Sequence, residues 1–347
     1  MANANLNAAA RNKNDEFYTQ YDDIEKEMNC YDPNIFRDKT ILLPCDDPEW
    51  SNFTRYFAAK FKEFGIKKLI STSYAINKKK YIYQGMYSLF VNAEEIDKDK
   101  EITCGKIFTL ERGAENVDID NLQWKYLEGD GDFRSQEVKV LRDEADIIIT
   151  NPPFSLFREF LSWILDGEKK FLIISNKNCL TYKEVFPLIM QNKIWAGCRD
   201  WAGGMWMESA DPETVDKIID GQNFKNVPAI WLTNLDHKKR HEPLKLMTEK
   251  RNIRHSKHKE IKGVGYRKYD NYDALEVPYT DAIPDDYDGV MGVPITFLDK
   301  YCPEQFEILG DSRYHDGSEV ADDINYIDGV LGYRRILIKR RRGGDND

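Results

Sequence analysis

The stretch Ala145-Asp146-Ile147-Ile148-Ile149-Thr150-Asn151-Pro152-Pro153-Phe154 decides how this chain is read. Its first six residues form a short apolar run of the kind that makes a buried strand. Apolar positions at Leu156, Phe157, Phe160, Leu161, Ile164 and Leu165 then recur with helical spacing. Asn151 to Phe154 therefore sits in the turn between them, at the carboxyl end of a sheet strand, where open α/β sheets bind their ligands. The residue types suit methyl transfer to a planar amine, whose delocalised lone pair makes it a poor nucleophile. Two fixed acceptors for its N–H groups hold the nitrogen and favour the pyramidal form that attacks. Asn151 offers a side-chain oxygen, and Pro152 a carbonyl on a ring-locked backbone. Pro153 stiffens the turn, and Phe154 offers a face for an extruded base. No His or Cys nucleophile is required.

Working outward, 40–45 reads as an apolar strand. A helix follows with Phe53, Tyr56, Phe57, Phe61 and Phe64 on one face and Gly65 as its stop, and 67–72 reads as the next strand. Further strands are predicted at 122–127, running into the acidic turn 128–133, and at 170–175 and 227–233. A helix at 181–191 and a hairpin insertion over about 77–110 complete the pattern. The order predicts an α/β fold, a Rossmann-like, mostly parallel sheet with helices on both faces.

The 347 residues, 41% of them hydrophobic, are enough for one large or two unequal domains. Six scattered cysteines without a CxxC pair predict reduced thiols and a cytoplasmic setting. The amino terminus lacks a signal-peptide pattern, and no apolar run approaches a membrane span.

Net charge is −10, yet 237–268 carries 12 Lys+Arg against 3 Asp+Glu, a local +9 that leaves −19 for the rest. That asymmetry, with Tyr266 and Tyr269 interleaved, predicts contact with double-stranded nucleic acid through Lys238, Lys239, Arg240, Arg251, Arg254, Lys257, Arg267 and Lys268. A second basic cluster runs from Arg334 to Arg342. Four of the five histidines fall in the basic segment, without a Cys pair or an HExxH pattern, so no metal site is expected. The expected organisation is a flexible 1–14, a catalytic domain over 15–236 and a recognition region over 237–347.

Taken in order, DEFYT at 15–19, ILLPCDD at 41–47, GDGDF at 129–133 and NPPF at 151–154 resemble the motifs of the EcoRI-type adenine-specific DNA methyltransferases, a family of class I S-adenosylmethionine-dependent enzymes. The resemblance covers nearly the whole chain, and only NPPF is specific by itself. It implies site-specific transfer of a methyl group from S-adenosylmethionine to the 6-amino group of a flipped adenine in duplex DNA. Phe17, Tyr18 and Thr19 would contact the methionine part of that cofactor, and Pro44, Cys45 and Asp46 would form the turn beneath it. Asp130 and Phe133 would approach its adenine, with Asp132 as an alternative to Asp130. Asn151, Pro152, Pro153 and Phe154 would form the catalytic loop. The resemblance also implies a cognate restriction nuclease as a possible partner in the same system.

Two departures stand out. The loop 44–48 contains no glycine, and Ser71, Thr72 and Ser73 occupy the place where an acidic residue usually holds the ribose. The residues leave open an RNA or protein-glutamine methyltransferase with the same loop, and a silent DNA-binding protein that keeps the fold.

Overall fold

The computed structural model describes residues 17–75, 98–113, 122–209, 215–219, 221–312, 314–315, 318–319 and 325–341. The expected flexible 1–14, and most of the insertion expected over 77–110, lie outside them. The chain divides into two compact units, Met1–Cys179 with Trp201–Leu235, and Leu180–Asp200 with Asp236–Asp347.

The first unit contains, in chain order, β1 (Phe17–Tyr18), α1 (Tyr21–Met28), β2 (Thr40–Leu43), α2 (Asn52–Phe64), β3 (Lys68–Thr72), α3 (Lys98–Thr103), β4 (Lys106–Glu111) and β5 (Trp124–Tyr126). It continues with α4 (Gln136–Glu144), β6 (Ile147–Thr150), α5 (Phe157–Asp166), β7 (Lys170–Asn176), β8 (Met205–Ser209), β9 (Lys217–Ile219), β10 (Gln222–Val227) and β11 (Ala229–Thr233). Within this unit the strands of its main sheet run β5-β4-β3-β2-β6-β7-β11. The pairs β3/β2, β2/β6 and β6/β7 are parallel, while β4, β5 and β11 join antiparallel. This is the α/β architecture that the sequence predicts, a parallel centre with antiparallel strands at its edges. The order reverses at β2, with β3 on one side and β6 on the other. That makes the carboxyl edge between β2 and β6 the topological switch point where such sheets bind ligands.

The elements form for local reasons. Helix α2 starts where the Ser51 hydroxyl accepts from the Phe53 N–H at 3.1 Å, a cap worth about 1 kcal/mol. It ends on Gly65 in a left-handed conformation with φ 63°. Its predicted aromatic face is buried, and Phe53 meets Trp231 of β11 edge-on at 5.8 Å. The parallel strands β2, β6 and the centre of β7 are buried along their length, as strands covered on both faces must be. A small antiparallel sheet, β1-β8-β10-β9, adds to the same unit.

The second unit contains α6 (Phe186–Met190), α7 (Glu249–His255), β12 (Arg267–Lys268), β13 (Ala274–Glu276), β14 (Val290–Val293), β15 (Phe306–Asp311), β16 (Tyr314–His315), β17 (Ser318–Glu319), β18 (Tyr326–Ile327), β19 (Val330–Leu331) and β20 (Ile336–Arg340). Seven of these strands form a sheet in the order β12-β13-β14-β20-β15-β16-β17 around a core that includes Met291, Val293, Phe297, Phe306 and Ile336 to Ile338. The stretch 180–200 belongs to this unit, where α6 lies on β15 and the Ala196 carbonyl meets the buried His237 ring at 2.9 Å. Cys45, Cys104, Cys179 and Cys302 keep their thiols. Among the described residues no helix is long and apolar enough to cross a membrane.

Candidate active site

Asn151 leaves the carboxyl end of β6, and the chain turns through Pro152 and Pro153 into a 3-10 turn at Phe154–Leu156 that feeds α5. The Pro153 carbonyl closes that turn by accepting from Leu156 at 3.0 Å. The Pro152 carbonyl accepts no hydrogen bond from the described residues. Asn151 Oδ1 is shielded from solvent, and Phe154 is half-buried against the core.

What fixes this loop is the residue before it. Thr150 Oγ1 donates to the buried Asp46 carboxylate at 2.6 Å, and Ser51 Oγ donates to its other oxygen at 2.7 Å. The Asp46 backbone N–H bonds the Thr72 carbonyl at 2.9 Å, and its carbonyl accepts from the Ser71 hydroxyl. One aspartate thus ties together the ends of β2, β3, β6 and the start of α2. The glycine-free turn at Pro44 to Pro48 is rigid because it is cross-linked in this way, and Pro44 contributes its carbonyl to Thr72 Oγ1 at 3.2 Å. Cys45 is partly exposed beside it.

The hydroxyls of Ser71, Thr72 and Ser73 are all committed inward. Ser71 also pairs with Thr54 at 2.7 Å, and Ser73 accepts from the Lys106 N–H at 3.2 Å. They are therefore not presented to a ribose. The acidic turn comes closest to filling that place, since the Asp130 carbonyl accepts from Ala75 at 2.8 Å. Gly131 is required there, with φ 77° and with a Cβ that would run into the Ser73 carbonyl. Asp130 Oδ1 accepts from the Asp132 N–H at 3.1 Å, while Asp132 itself forms a forked pair with Arg134 at 2.7 and 2.9 Å. Asp130 is the better candidate of the two for a ligand. Phe133 is only 5% exposed and packs on Phe160 and Trp163 at 5.0 and 5.7 Å, so its ring serves the α5 interface. Tyr74, not singled out in the sequence, stands half-buried near the turn, and burial together with Asp132 and Asp130 pushes its phenol up.

The DEFYT segment arrives from the other side. Its Asp15, its Glu16 and the side chain of Phe17 lie outside the described residues. Tyr18 meets Trp50 edge-on at 4.4 Å, and Asn52 Nδ2 donates to the Thr19 carbonyl at 2.8 Å. Strand β1 pairs with β8, placing Tyr18 opposite Glu208. Five separated pieces of sequence thus gather around the carboxyl ends of β2, β3 and β6. Trp50, Tyr74, Thr150 and Glu208 carried no sequence signal, since each matters through a partner distant in the chain.

The family described as "Adenine-specific methyltransferase EcoRI" matches residues 5–341. This chain belongs to it. It is 42% identical to the type II methyltransferase M.EcoRI of Escherichia coli, over 97% of this chain and 96% of that one. It is 33% identical to M.MpnI of Mycoplasma pneumoniae, over 97% and 98%, and 31% identical to M.MgeORF184P of Mycoplasma genitalium, over 97% and 99%. No solved structure matches.

In the second unit the basic residues divide into two sets. Lys239 is held by Asp200 at 2.8 Å, Asp299 at 3.0 Å and the Cys198 carbonyl, and Arg240 lies on the Trp195 ring at 3.7 Å. Lys257 pairs with Asp281, Arg267 with Asp328 and Lys268 with Asp273. Lys238, Arg251 and Arg254, with Lys250 beside them on α7, are exposed and make no ion pair among the described residues. The tyrosines interleaved with this charge are structural. Tyr269 is buried on Glu276, and the Tyr266 hydroxyl donates to the Ala282 carbonyl. His241 lies between Asp236 at 2.9 Å and Glu304 at 2.7 Å, and hydrogen bonds to both raise its pKa. Among the described residues no group of three His, Cys, Asp or Glu could hold a metal ion.

Proposed function

We propose that this adenine-specific methyltransferase moves a methyl group from S-adenosylmethionine to the 6-amino group of an adenine flipped out of duplex DNA. The observation that carries the reading is the Asn151 to Phe154 loop, set at the switch point and anchored through Thr150 to Asp46. Asn151 Oδ1 and the Pro152 carbonyl would accept from the two amine N–H groups, so that the nitrogen lone pair turns toward the methyl group as it pyramidalises. Phe154 would stack on the extruded base.

The chain's own residues fit the cofactor. Thr19 Oγ1 is buried without a hydrogen-bond partner among the described residues. The Asp130 carboxylate uses one oxygen within its own turn, so the other can serve a ligand. Thr19 and Tyr18 would hold the methionine part, the turn Pro44 to Asp46 would lie beneath it, and Asp130 would bind toward the nucleoside. When bound, the cofactor supplies an electrophilic methyl on a sulfonium.

The exposed, unpaired cations Lys238, Lys250, Arg251 and Arg254 support a nucleic-acid polyanion as the substrate. Duplex DNA in a cytoplasmic setting, with a cognate restriction nuclease and no metal requirement, completes the proposal. Its test is tritium transfer from labelled cofactor to duplex DNA, RNA and protein, followed by digestion. Label recovered as N6-methyladenine from DNA is the expected result. Label in RNA or protein alone, or none at all, overturns it.

A further inference from the structure

The proposed function leaves Glu208 without a task. On β8, Met205, Met207 and Ser209 are buried on one face of the strand, and Trp206 and Glu208 alternate to the other. Residues directly opposite in an antiparallel pair share a face, so Glu208 projects on the same side as Tyr18. That is the side on which the Tyr18 ring meets Trp50, two residues after the turn Pro44 to Pro48.

Glu208 Oε1 is shielded from solvent and has no hydrogen-bond donor among the described residues. Burial pushes its carboxyl up. Thr19 Oγ1, one residue beyond Tyr18 and only 5% exposed, is a second buried polar atom without a partner. Stranded polar groups of this kind cost stability unless something satisfies them. A carboxylate calls for a cation and a hydroxyl can donate to an anion. Together they are complementary to a zwitterionic amino acid.

We propose that Glu208 is the anionic partner of the α-ammonium of the cofactor's methionine part, with the Thr19 hydroxyl serving the adjoining carboxylate. The assignment rests on the reading of S-adenosylmethionine as methyl donor. It adds a binding residue on a strand that none of the recognisable motifs includes.

The experiment is a cycle of two changes, read by calorimetry. Wild type and Glu208→Gln are titrated with S-adenosylhomocysteine and with its deaminated analogue, which lacks only the ammonium. 5′-Methylthioadenosine, which lacks the whole amino acid, serves as control. Wild type should bind the deaminated analogue about 10- to 100-fold more weakly than S-adenosylhomocysteine, the range of a hydrogen bond to a charged group. Glu208→Gln should weaken S-adenosylhomocysteine by a similar factor, leave 5′-methylthioadenosine within about two-fold, and no longer distinguish the two amino-acid ligands. Equal losses on all three ligands, or additive effects of the two changes, overturn the assignment. So does a loss of DNA affinity with cofactor affinity intact, which would hand Glu208 to the substrate. A wild type that binds none of the three overturns the cofactor reading itself, a different and recognisable result. Glu208→Ala, carried through the same titrations, supplies the answer should the glutamine variant fail to fold.

Discussion

Asn151 is expected to matter for rate and little for folding. Asn151→Ala should lower kcat about 10²- to 10³-fold, the usual cost of losing one preorganised acceptor, with S-adenosylhomocysteine affinity and the thermal midpoint nearly unchanged. Single-turnover methylation alongside calorimetry checks this, and a rate within a few-fold of wild type removes Asn151 from the chemistry. Thr150→Val makes the complementary case. It leaves the Asp46 carboxylate short of one hydroxyl donor in a buried site, which should cost about 1–3 kcal/mol of stability. Because the same bond anchors the strand that carries Asn151, turnover should fall as well. Denaturant unfolding and kcat measured on one preparation separate the two effects.

Among elements, the turn 129–133 and the 3-10 turn at Lys238–His241 make distinct predictions. Gly131→Ala combines a left-handed backbone with a Cβ that meets the Ser73 carbonyl, so it should displace the turn from β3 and weaken cofactor binding along with stability. The same replacement at Gly113, where an added Cβ meets nothing within 4 Å but φ is 100°, tests strain without the close approach. His241 is exposed enough for solvent to moderate its contribution, yet the direction is definite. Its folded pKa lies above the unfolded value of about 6.5. The stability it adds is therefore fully present below pH 6.5 and lost as pH rises through the raised folded pKa. The difference in thermal midpoint between wild type and His241→Gln, followed across that range, should shrink as pH rises. A difference that stays level with pH shows that the ring acts by packing alone.

At the scale of the whole molecule the question is which cations meet DNA. Replacing Lys250, Arg251 and Arg254 together by glutamine should lower the salt dependence of DNA affinity by about 0.9 for each phosphate that the protein no longer neutralises. The thermal midpoint should barely move. Replacing Lys239 and Arg240 should do the reverse, because Lys239 satisfies the largely buried Asp299 and Arg240 packs on Trp195. A salt series of DNA titrations with melting curves on both variants decides the assignment. An unchanged slope for the α7 variant moves the DNA-binding surface elsewhere.

The motifs and the strand-turn-helix pattern around Asn151 were legible because they are local. A strand of Ile147 to Ile149 needs burial, two successive prolines restrict a turn, and helical spacing shows in a dozen residues. From these alone the α/β sheet, the place of the Asn151 to Phe154 loop after its strand, and the family followed. The use of each charge was not legible. Whether a lysine reaches outward, as Lys250 does, or closes onto Asp200 and Asp299, as Lys239 does, depends on residues dozens of positions away. The same holds for Phe133, turned into the α5 interface, and for Glu208, which gained a place beside Tyr18 only when β1 paired with β8. Periodicity and turn chemistry are written within a few residues of themselves. The pairing of charges and the burial of single polar atoms exist only once distant strands have met, and only the tertiary structure decided them.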